Sequence, residues 1–92
     1  MIIEKVVTIK NKQGLHARPA ALFVQIANKF ASEVTIVKGR QKINGKSIMG
    51  IMMLAAGAGS KVTVIANGDD AYKAMVELEK LLLADDADEF VM

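Results

Sequence analysis

The chain has 92 residues, which is enough for one hydrophobic core but too few for two. Hydrophobic residues make up 52% of the sequence and charged residues 24%, a balance typical of a globular protein rather than a disordered one. Twelve basic and ten acidic side chains leave a net charge of only +2. The lysines are scattered along the chain, so we expect no nucleic-acid partner.

Membrane and metal classes are also disfavoured. No apolar run reaches the roughly 18 residues that a membrane-spanning helix needs. The first twelve residues, MIIEKVVTIKNK, alternate like a strand and lack the apolar block of a signal peptide. We therefore expect a cytoplasmic protein of one domain, residues 1–92, with no membrane contact. Cysteine is absent and there is one histidine, so disulfides, thiolate chemistry and a structural metal site are not expected.

The first half of the chain predicts a strand, a helix and a hairpin. Residues 2–10 alternate between an apolar and a mixed face, which predicts a strand. Apolar side chains then recur every three or four residues, predicting a helix from about 17 to 28. Residues 32–37 are rich in β-branched side chains and predict a second strand. A tight turn at Lys38-Gly39 returns the chain into a third strand over residues 40–43.

The second half predicts two more helices around a fourth strand. Ser47 is placed to cap a short helix over residues 48–54. Residues 61–66, KVTVIA, are the strongest strand pattern in the sequence. A helix from Asp70 to Leu83 follows, with an aspartate cap and one apolar face. Residues 85–92, DDADEFVM, place acidic side chains after a helix C-terminus, where the helix dipole disfavours them, so we expect a frayed tail.

The order of these elements is βαββαβα. In so short a chain three helices cover a four-stranded sheet only if all of them lie on one face. We therefore predict an α+β open-faced sandwich, a four-stranded antiparallel sheet with three helices on one face. Thr8, Thr35 and Thr63 fit the more solvated opposite face.

The most unusual stretch is NKQGLHARPAAL, residues 11–22, where the predicted helix begins. A histidine at a helix start can simply be a solvated cap. If His16 is the N-cap, however, the first helix amides, those of Ala17 and Arg18, form an anion-binding end, and the Arg18 guanidinium adds donors suited to phosphate. The alternative has Pro19 as the first helical residue and Arg18 as the cap. The sequence leaves these two starts open.

These groups are suited to phosphoryl transfer. A neutral imidazole near pH 7 has a lone pair that can attack phosphorus, and helix amides with a guanidinium would stabilise the charge on the transferred group. The sequence lacks a second histidine, and AAGAGS, residues 55–60, has neither the lysine nor the spacing of a nucleotide-phosphate loop. The chain could hold a phosphoryl group but could not draw one from a nucleotide unaided, which indicates a carrier rather than an enzyme.

Two motifs, GLHARPAALF at residues 14–23 and NGKSIMGIMML at residues 44–54, resemble the HPr family, the histidine-containing phosphocarriers of the bacterial sugar phosphotransferase system. The resemblance covers residues 1–84 and implies the open-faced sandwich already predicted. It implies that His16 accepts a phosphoryl group at Nδ1 from enzyme I, which phosphoenolpyruvate charges, and passes it to the A-components of enzymes II. Arg18 would steady the transferring group, and no cofactor is implied.

Ser47 has an ordinary role as a helix cap, but the helix that it caps is apolar on both faces. Ile51 and Leu54 point one way, and Ile48, Met49 and Met52 point another. One face must pack on the sheet, so the other is expected to be an exposed docking patch of adaptable side chains. The alternative is that Met49 and Met52 fill the core.

The resemblance implies that Ser47 is a regulatory phosphorylation site. In similar HPr proteins an ATP-dependent HPr kinase/phosphorylase modifies the matching serine, and the product associates with a catabolite-control transcription factor. A phosphate on Ser47 would put about two negative charges beside Ile48, Met49 and Met52. Folding should survive, while docking of enzyme I should weaken.

Three other functions remain as alternatives. A purely regulatory paralogue, in carbon catabolite control or a nitrogen-related branch, would need only the serine, and His16 argues against it. A small-ligand-sensing α/β module would explain the fold but leaves His16, Arg18 and Pro19 without a role. An RNA-binding domain would need aromatic side chains on its strands, and none of the four aromatic residues lies on a predicted strand. We expect a monomer.

Overall fold

The structure, a computed structural model, describes residues 1–12 and 14–84 of the chain. Within those residues the elements are β1 (Ile2–Thr8), α1 (Ala17–Ala27), β2 (Glu33–Lys38), β3 (Gln41–Asn44), α2 (Ile48–Met53), β4 (Lys61–Asn67) and α3 (Ala71–Leu83). The predicted order βαββαβα is confirmed, and every bound lies within two residues of the predicted one. The tail predicted over residues 85–92 lies outside the described residues.

The described strands form one antiparallel sheet in the order β1-β4-β2-β3. Ala66 of β4 pairs with both Ile3 and Val34, and Ile36 pairs with Ile43 across the hairpin. Since paired residues lie on the same face, this register places the apolar side chains of all strands together. Helix α3 packs on β1 and β4, α2 contacts β3, and α1 packs against both other helices. The predicted open-faced sandwich is confirmed.

The two faces of the sheet differ as the alternation in the strands requires. Val7, Val34 and Val62 are buried beneath the helices. On the opposite face Thr8, Thr35 and Thr63 are only half-buried, as predicted. Helices are therefore confined to one side, and the opposite face of the sheet meets solvent. None of the helices in residues 1–12 and 14–84 is long and apolar enough to cross a bilayer.

The helices bury the apolar stripes that their spacing predicts. Phe23 and Ile26 of α1 and Leu78 and Leu82 of α3 recur at intervals of three or four residues and are fully buried. Burying a side chain of this size contributes about 1.5–3 kcal/mol each. The packing of α1 against α3 therefore fixes where α1 begins relative to the sheet.

The hairpin turn differs from the prediction by one residue. Lys38 pairs with Gln41, so the turn residues are Gly39 and Arg40 rather than Lys38 and Gly39. The reason is the backbone conformation, because Gly39 has φ +60°. A two-residue hairpin turn needs a positive φ at its first central position, which glycine adopts without a steric penalty.

The sequence predicts that the Asp70 side chain caps α3, and this prediction is wrong. Asp70 occupies the N-cap position, but its carboxylate makes no capping hydrogen bond to the described residues. Instead it accepts hydrogen bonds from the Ala31 amide at 2.9 Å, the Ser32 amide at 3.0 Å and the Ser32 hydroxyl. The loop between α1 and β2 is thereby tied to the start of α3, a long-range use of aspartate that local sequence does not reveal.

We call Asp70 and its partners Ala31 and Ser32 the Asp70 cluster, and we expect its contribution to stability to be lost in acid. The hydrogen bond from the Ser32 hydroxyl, followed by that from the Ala31 amide, lowers the pKa of Asp70 below its usual value. A lowered folded-state pKa means that the unfolded chain binds the proton more readily. The contribution is thus present at neutral pH and is lost as the pH falls from about 4 through the folded-state pKa.

Asp70→Asn is expected to lower the urea midpoint at pH 7 and to flatten the decline in stability below about pH 4. Urea unfolding at a series of pH values measures both effects. Asp69→Asn, at the exposed neighbouring residue, is the matched control and should leave the midpoint nearly unchanged. Equal midpoints for the two variants would remove the role assigned to the cluster.

Candidate functional site

The structure settles which residue begins the first helix. His16 is the N-cap of α1, with an extended backbone (φ −87°, ψ −163°), and its carbonyl accepts the Ala20 amide at 2.8 Å. Pro19 is the third helical residue and is buried, so the alternative start with Arg18 as the cap is wrong. The His16 side chain is exposed and makes no capping hydrogen bond to the described residues.

The end of α1 at His16 has the electrostatics of an anion site. Ala17 and Arg18 are both exposed and supply the first backbone amides, whose N–H groups point out of the helix end. Helix α1 has eleven residues and no acidic side chain in its first turn, so no carboxylate on that turn offsets its positive end. The exposed amides at this end of α1 therefore favour a negatively charged group beside His16.

The loop before His16 is anchored on two sides. The Leu15 amide donates to the Ala56 carbonyl at 2.8 Å, just after α2, and the Leu15 side chain is buried. On the other side the buried Asn11 amide donates to the Leu81 carbonyl at 3.1 Å and to the Ala84 carbonyl, at the end of α3. These contacts attach the segment before the exposed histidine to the residues after α2 and to the end of α3. They were not predicted from the sequence, because a single asparagine in a turn has no periodic signal.

Gly14 makes the close approach between this loop and the residues after α2 possible. It has φ +67°, and a Cβ there would lie 2.7 Å from the Ala56 carbonyl oxygen and 2.8 Å from the Gly57 Cα. Both neighbours are backbone atoms, which cannot rotate away as a side chain can. Any larger residue must therefore displace the segment that carries His16.

Gly14→Ala is expected to lower the free energy of unfolding by more than about 3 kcal/mol, since it combines a positive φ with a backbone clash. Gly39→Ala is the matched control: Gly39 has a similar φ of +60°, but a Cβ there meets nothing within 4 Å. Its cost should be about 1–2 kcal/mol, from the left-handed conformation alone. Chemical denaturation of both variants measures the difference, and equal losses would contradict the predicted clash.

Ser47 caps α2 as the sequence predicts. Its backbone is extended, and its hydroxyl oxygen accepts the Gly50 amide at 3.0 Å. The side chain is half-buried. The Ser47 oxygen accepts this hydrogen bond through a lone pair, so the hydroxyl hydrogen is not used by the cap. Capping is therefore compatible with replacement of that hydrogen by a phosphoryl group.

The exposed face of α2 is apolar. Ile51 and Leu54 are buried, and the exposed fractions of the others are 43% for Ile48, 75% for Met49 and 45% for Met52. The alternative that Met49 and Met52 fill the core is therefore wrong. Met53, 69% exposed, extends the same surface and was not among the residues predicted from the sequence. Its position four residues after Met49, one helical turn on, is the signal that could have found it. We call Ile48, Met49, Met52 and Met53 the α2 patch.

The structure brings the predicted site residues into two adjoining regions. The His16 loop lies against the residues that follow α2, through the bond between Leu15 and Ala56, and α1 and α2 are in contact. Ser47 lies at the opposite end of α2, about 10 Å along the helix axis from Leu54. The α2 patch lies between these two ends of the helix.

The open-faced sandwich matches solved phosphocarrier proteins. The structure of the phosphocarrier protein HPr from Bacillus anthracis is 47% identical, with a TM-score of 0.85, covering 88% of this chain and 96% of that one. The phosphocarrier protein HPr of Treponema pallidum is 42% identical over 80 residues, covering 87% of this chain and 91% of the relative.

Sequence comparison extends the match to almost the whole chain. A family model, PTS-HPr, described as the PTS HPr component phosphorylation site, matches residues 3–84. The HPr-like protein Crh of Halalkalibacterium halodurans is 56% identical over 77 residues, covering 84% of this chain and 92% of the relative. The chain therefore belongs to the HPr family of the phosphotransferase system.

Proposed function

We propose that this chain is a phosphocarrier whose His16 accepts, at Nδ1, a phosphoryl group that enzyme I obtains from phosphoenolpyruvate. The group then passes to the A-components of sugar-specific enzymes II. The observation that carries the proposal is the exposed His16 side chain at the N-cap of an eleven-residue helix whose first turn has no acidic residue. A purely structural histidine would have no use for that arrangement.

The transfer needs His16 in the tautomer with its proton on Nε2. The Nδ1 lone pair then attacks phosphorus in line, and the bond from phosphorus to the donor atom on enzyme I breaks. The amides of Ala17 and Arg18, which the helix start fixes before the reaction, and the positive charge of the Arg18 guanidinium would stabilise the negative charge on the phosphoryl oxygens. Because the ring stays at the surface, an acceptor on an A-component can take the group by the same path in reverse.

We assign partner docking to the α2 patch. Methionine side chains adapt to different shapes, which suits a surface that must bind enzyme I and several A-components in turn. Its position beside the His16 loop would orient each partner's reacting group toward Nδ1. Ser47, at the start of the same helix, would then be a regulatory site for an HPr kinase/phosphorylase, and the phosphorylated form would be recognised by a catabolite-control transcription factor.

A second candidate is a purely regulatory role. It is favoured by the relatives named HPr-like protein Crh, at 56% and 49% identity, the second from Bacillus subtilis, and by a solved Crh described as the catabolite repression HPr of that organism. A relative in Shewanella violacea, 42% identical over 73 residues, is named phosphocarrier protein NPr, which is compatible with a nitrogen-related branch. In a purely regulatory protein Ser47 would be the site of action and His16 would carry no phosphoryl group.

The two candidates differ in which donor labels the chain. The experiment incubates the protein with enzyme I and labelled phosphoenolpyruvate, and separately with HPr kinase/phosphorylase and labelled ATP. A phosphocarrier gives acid-labile, alkali-stable label from the first reaction. Label from ATP alone would reject the carrier proposal in favour of the regulatory one, and label from neither would reject both.

Three further properties belong to the proposal. Residues 1–92 would form one HPr-like domain that acts in the cytoplasm, where phosphoenolpyruvate is produced. The chain would carry phosphoryl groups without catalysing a reaction of its own. It would act as a monomer, although solved relatives include an HPr dimer from Thermoanaerobacter tengcongensis and a swapped Crh dimer from Bacillus subtilis. Size-exclusion chromatography with light scattering tests the last point.

A further inference from the structure

Three thioethers are concentrated on the exposed face of α2. Met52 and Met53 follow Met49 by three and four residues, so the three side chains lie on one side of the helix. All three are exposed. Met75, on α3, is only 2% exposed and lies in the core. The sequence contains no cysteine, so methionine is its only oxidisable sulfur. Surface thioethers are the ones that a dissolved oxidant reaches.

We propose that Met49, Met52 and Met53 are an oxidation site, at which a hydroperoxide converts the α2 patch into a surface that no longer binds enzyme I. The inference rests on the docking role proposed above. In each reaction a sulfur lone pair attacks the terminal peroxide oxygen and the O–O bond breaks. The thioether becomes a sulfoxide, losing two electrons, and hydrogen peroxide is reduced to water.

Oxidation of these methionines is expected to weaken docking of enzyme I and to leave the phosphoryl acceptor, His16, unchanged. A sulfoxide adds a polar S=O group to a surface that must lose water when a partner covers it, and a polar group buried without a hydrogen-bond partner weakens binding. His16 lies on another element, so its ring is unaltered and the phosphoryl acceptor remains competent. The fold should persist, because the oxidised side chains project into solvent and Met75 is shielded. Methionine sulfoxide reductases reverse the reaction, which makes the change regulatory rather than destructive.

The test treats the full chain with hydrogen peroxide, removes the peroxide with catalase, and then adds enzyme I and labelled phosphoenolpyruvate. Peptide mass spectrometry should find sulfoxide at Met49, Met52 and Met53 before Met75. The initial labelling rate should fall about tenfold, and treatment with sulfoxide reductases should restore it. Circular dichroism should give the same spectrum before and after oxidation.

The matched variant is Met49→Leu/Met52→Leu/Met53→Leu, which keeps an apolar surface of similar volume that peroxide cannot oxidise. The measured quantity is the ratio of rates before and after peroxide within each protein. For the variant this ratio should stay within about twofold, which assigns the effect to α2 rather than to Met1 or Met92.

The outcomes separate this inference from the function on which it rests. If the unoxidised chain takes label and the chain with all three sulfoxides takes it equally fast, the oxidation site is rejected and the carrier function stands. An equal loss of rate in the leucine variant, or oxidation of Met75 as fast as of Met49, also rejects it. If the unoxidised chain takes no label, the proposed function fails and this inference fails with it.

Discussion

His16→Ala is expected to abolish acid-labile labelling by enzyme I and phosphoenolpyruvate while leaving the protein folded. Alanine has no nucleophilic atom, and no second histidine exists in the sequence to replace it. The free energy of unfolding should change by less than about 1 kcal/mol, because the exposed imidazole makes no capping hydrogen bond to the described residues. Autoradiography and urea denaturation measure the two effects.

Gln25→Ala is a suitable control for this experiment. Gln25 is exposed on the same helix, outside the first turn, so its loss should affect neither labelling nor stability appreciably. Label that persists in His16→Ala would mean that another side chain accepts the phosphoryl group. A loss of stability of several kcal/mol would indicate that His16 is mainly a structural residue.

Phosphorylation of Ser47 is expected to slow phosphoryl transfer from enzyme I to His16 about tenfold or more. The modification adds close to two negative charges at the end of the α2 patch, whose Ile48 and Met49 are exposed. A partner that covers the patch would have to desolvate those charges, and 1.4 kcal/mol of lost binding free energy corresponds to about tenfold. The fold should be retained, since a negative group is favourable at a helix N-terminus.

The measurement compares initial labelling rates by enzyme I before and after complete modification with HPr kinase/phosphorylase and ATP. Ser47→Ala should take no label from ATP, at a cost of about 1 kcal/mol in stability from the lost bond between Ser47 and the Gly50 amide. Ser60→Ala, in the loop after α2, should be modified normally and serves as the matched control. Labelling from ATP that persists in Ser47→Ala would place the modification elsewhere.

Local sequence was sufficient to predict the helices and strands and to identify His16 and Ser47 as candidate site residues. The spacing of apolar residues predicted each helix and strand to within two residues, because burying one face imposes a period on the side chains. The histidine motif was recognisable because its members lie within four residues at a helix start. Ser47 was recognisable for the same reason, since a cap and its helix are neighbours in sequence.

Predictions failed where the deciding contact was not local. Asp70 has the sequence context of a cap, yet its carboxylate bonds to Ala31 and Ser32, nearly forty residues earlier. Asn11 is buried against the end of α3, some seventy residues later. No short window of sequence contains the partners of these residues.

The sequence by itself determined the open-faced sandwich and the cap at Ser47, because each follows from periodicity or from neighbouring residues, whereas the structure selected His16 over Arg18 as the N-cap of α1. Only the tertiary structure decided which apolar face of α2 is exposed and what holds the His16 loop. Helix α2 is apolar all round, so its own residues could pack in either orientation. The contact of Ile51 and Leu54 with the core selects one of them, and it leaves Met49, Met52 and Met53 to solvent.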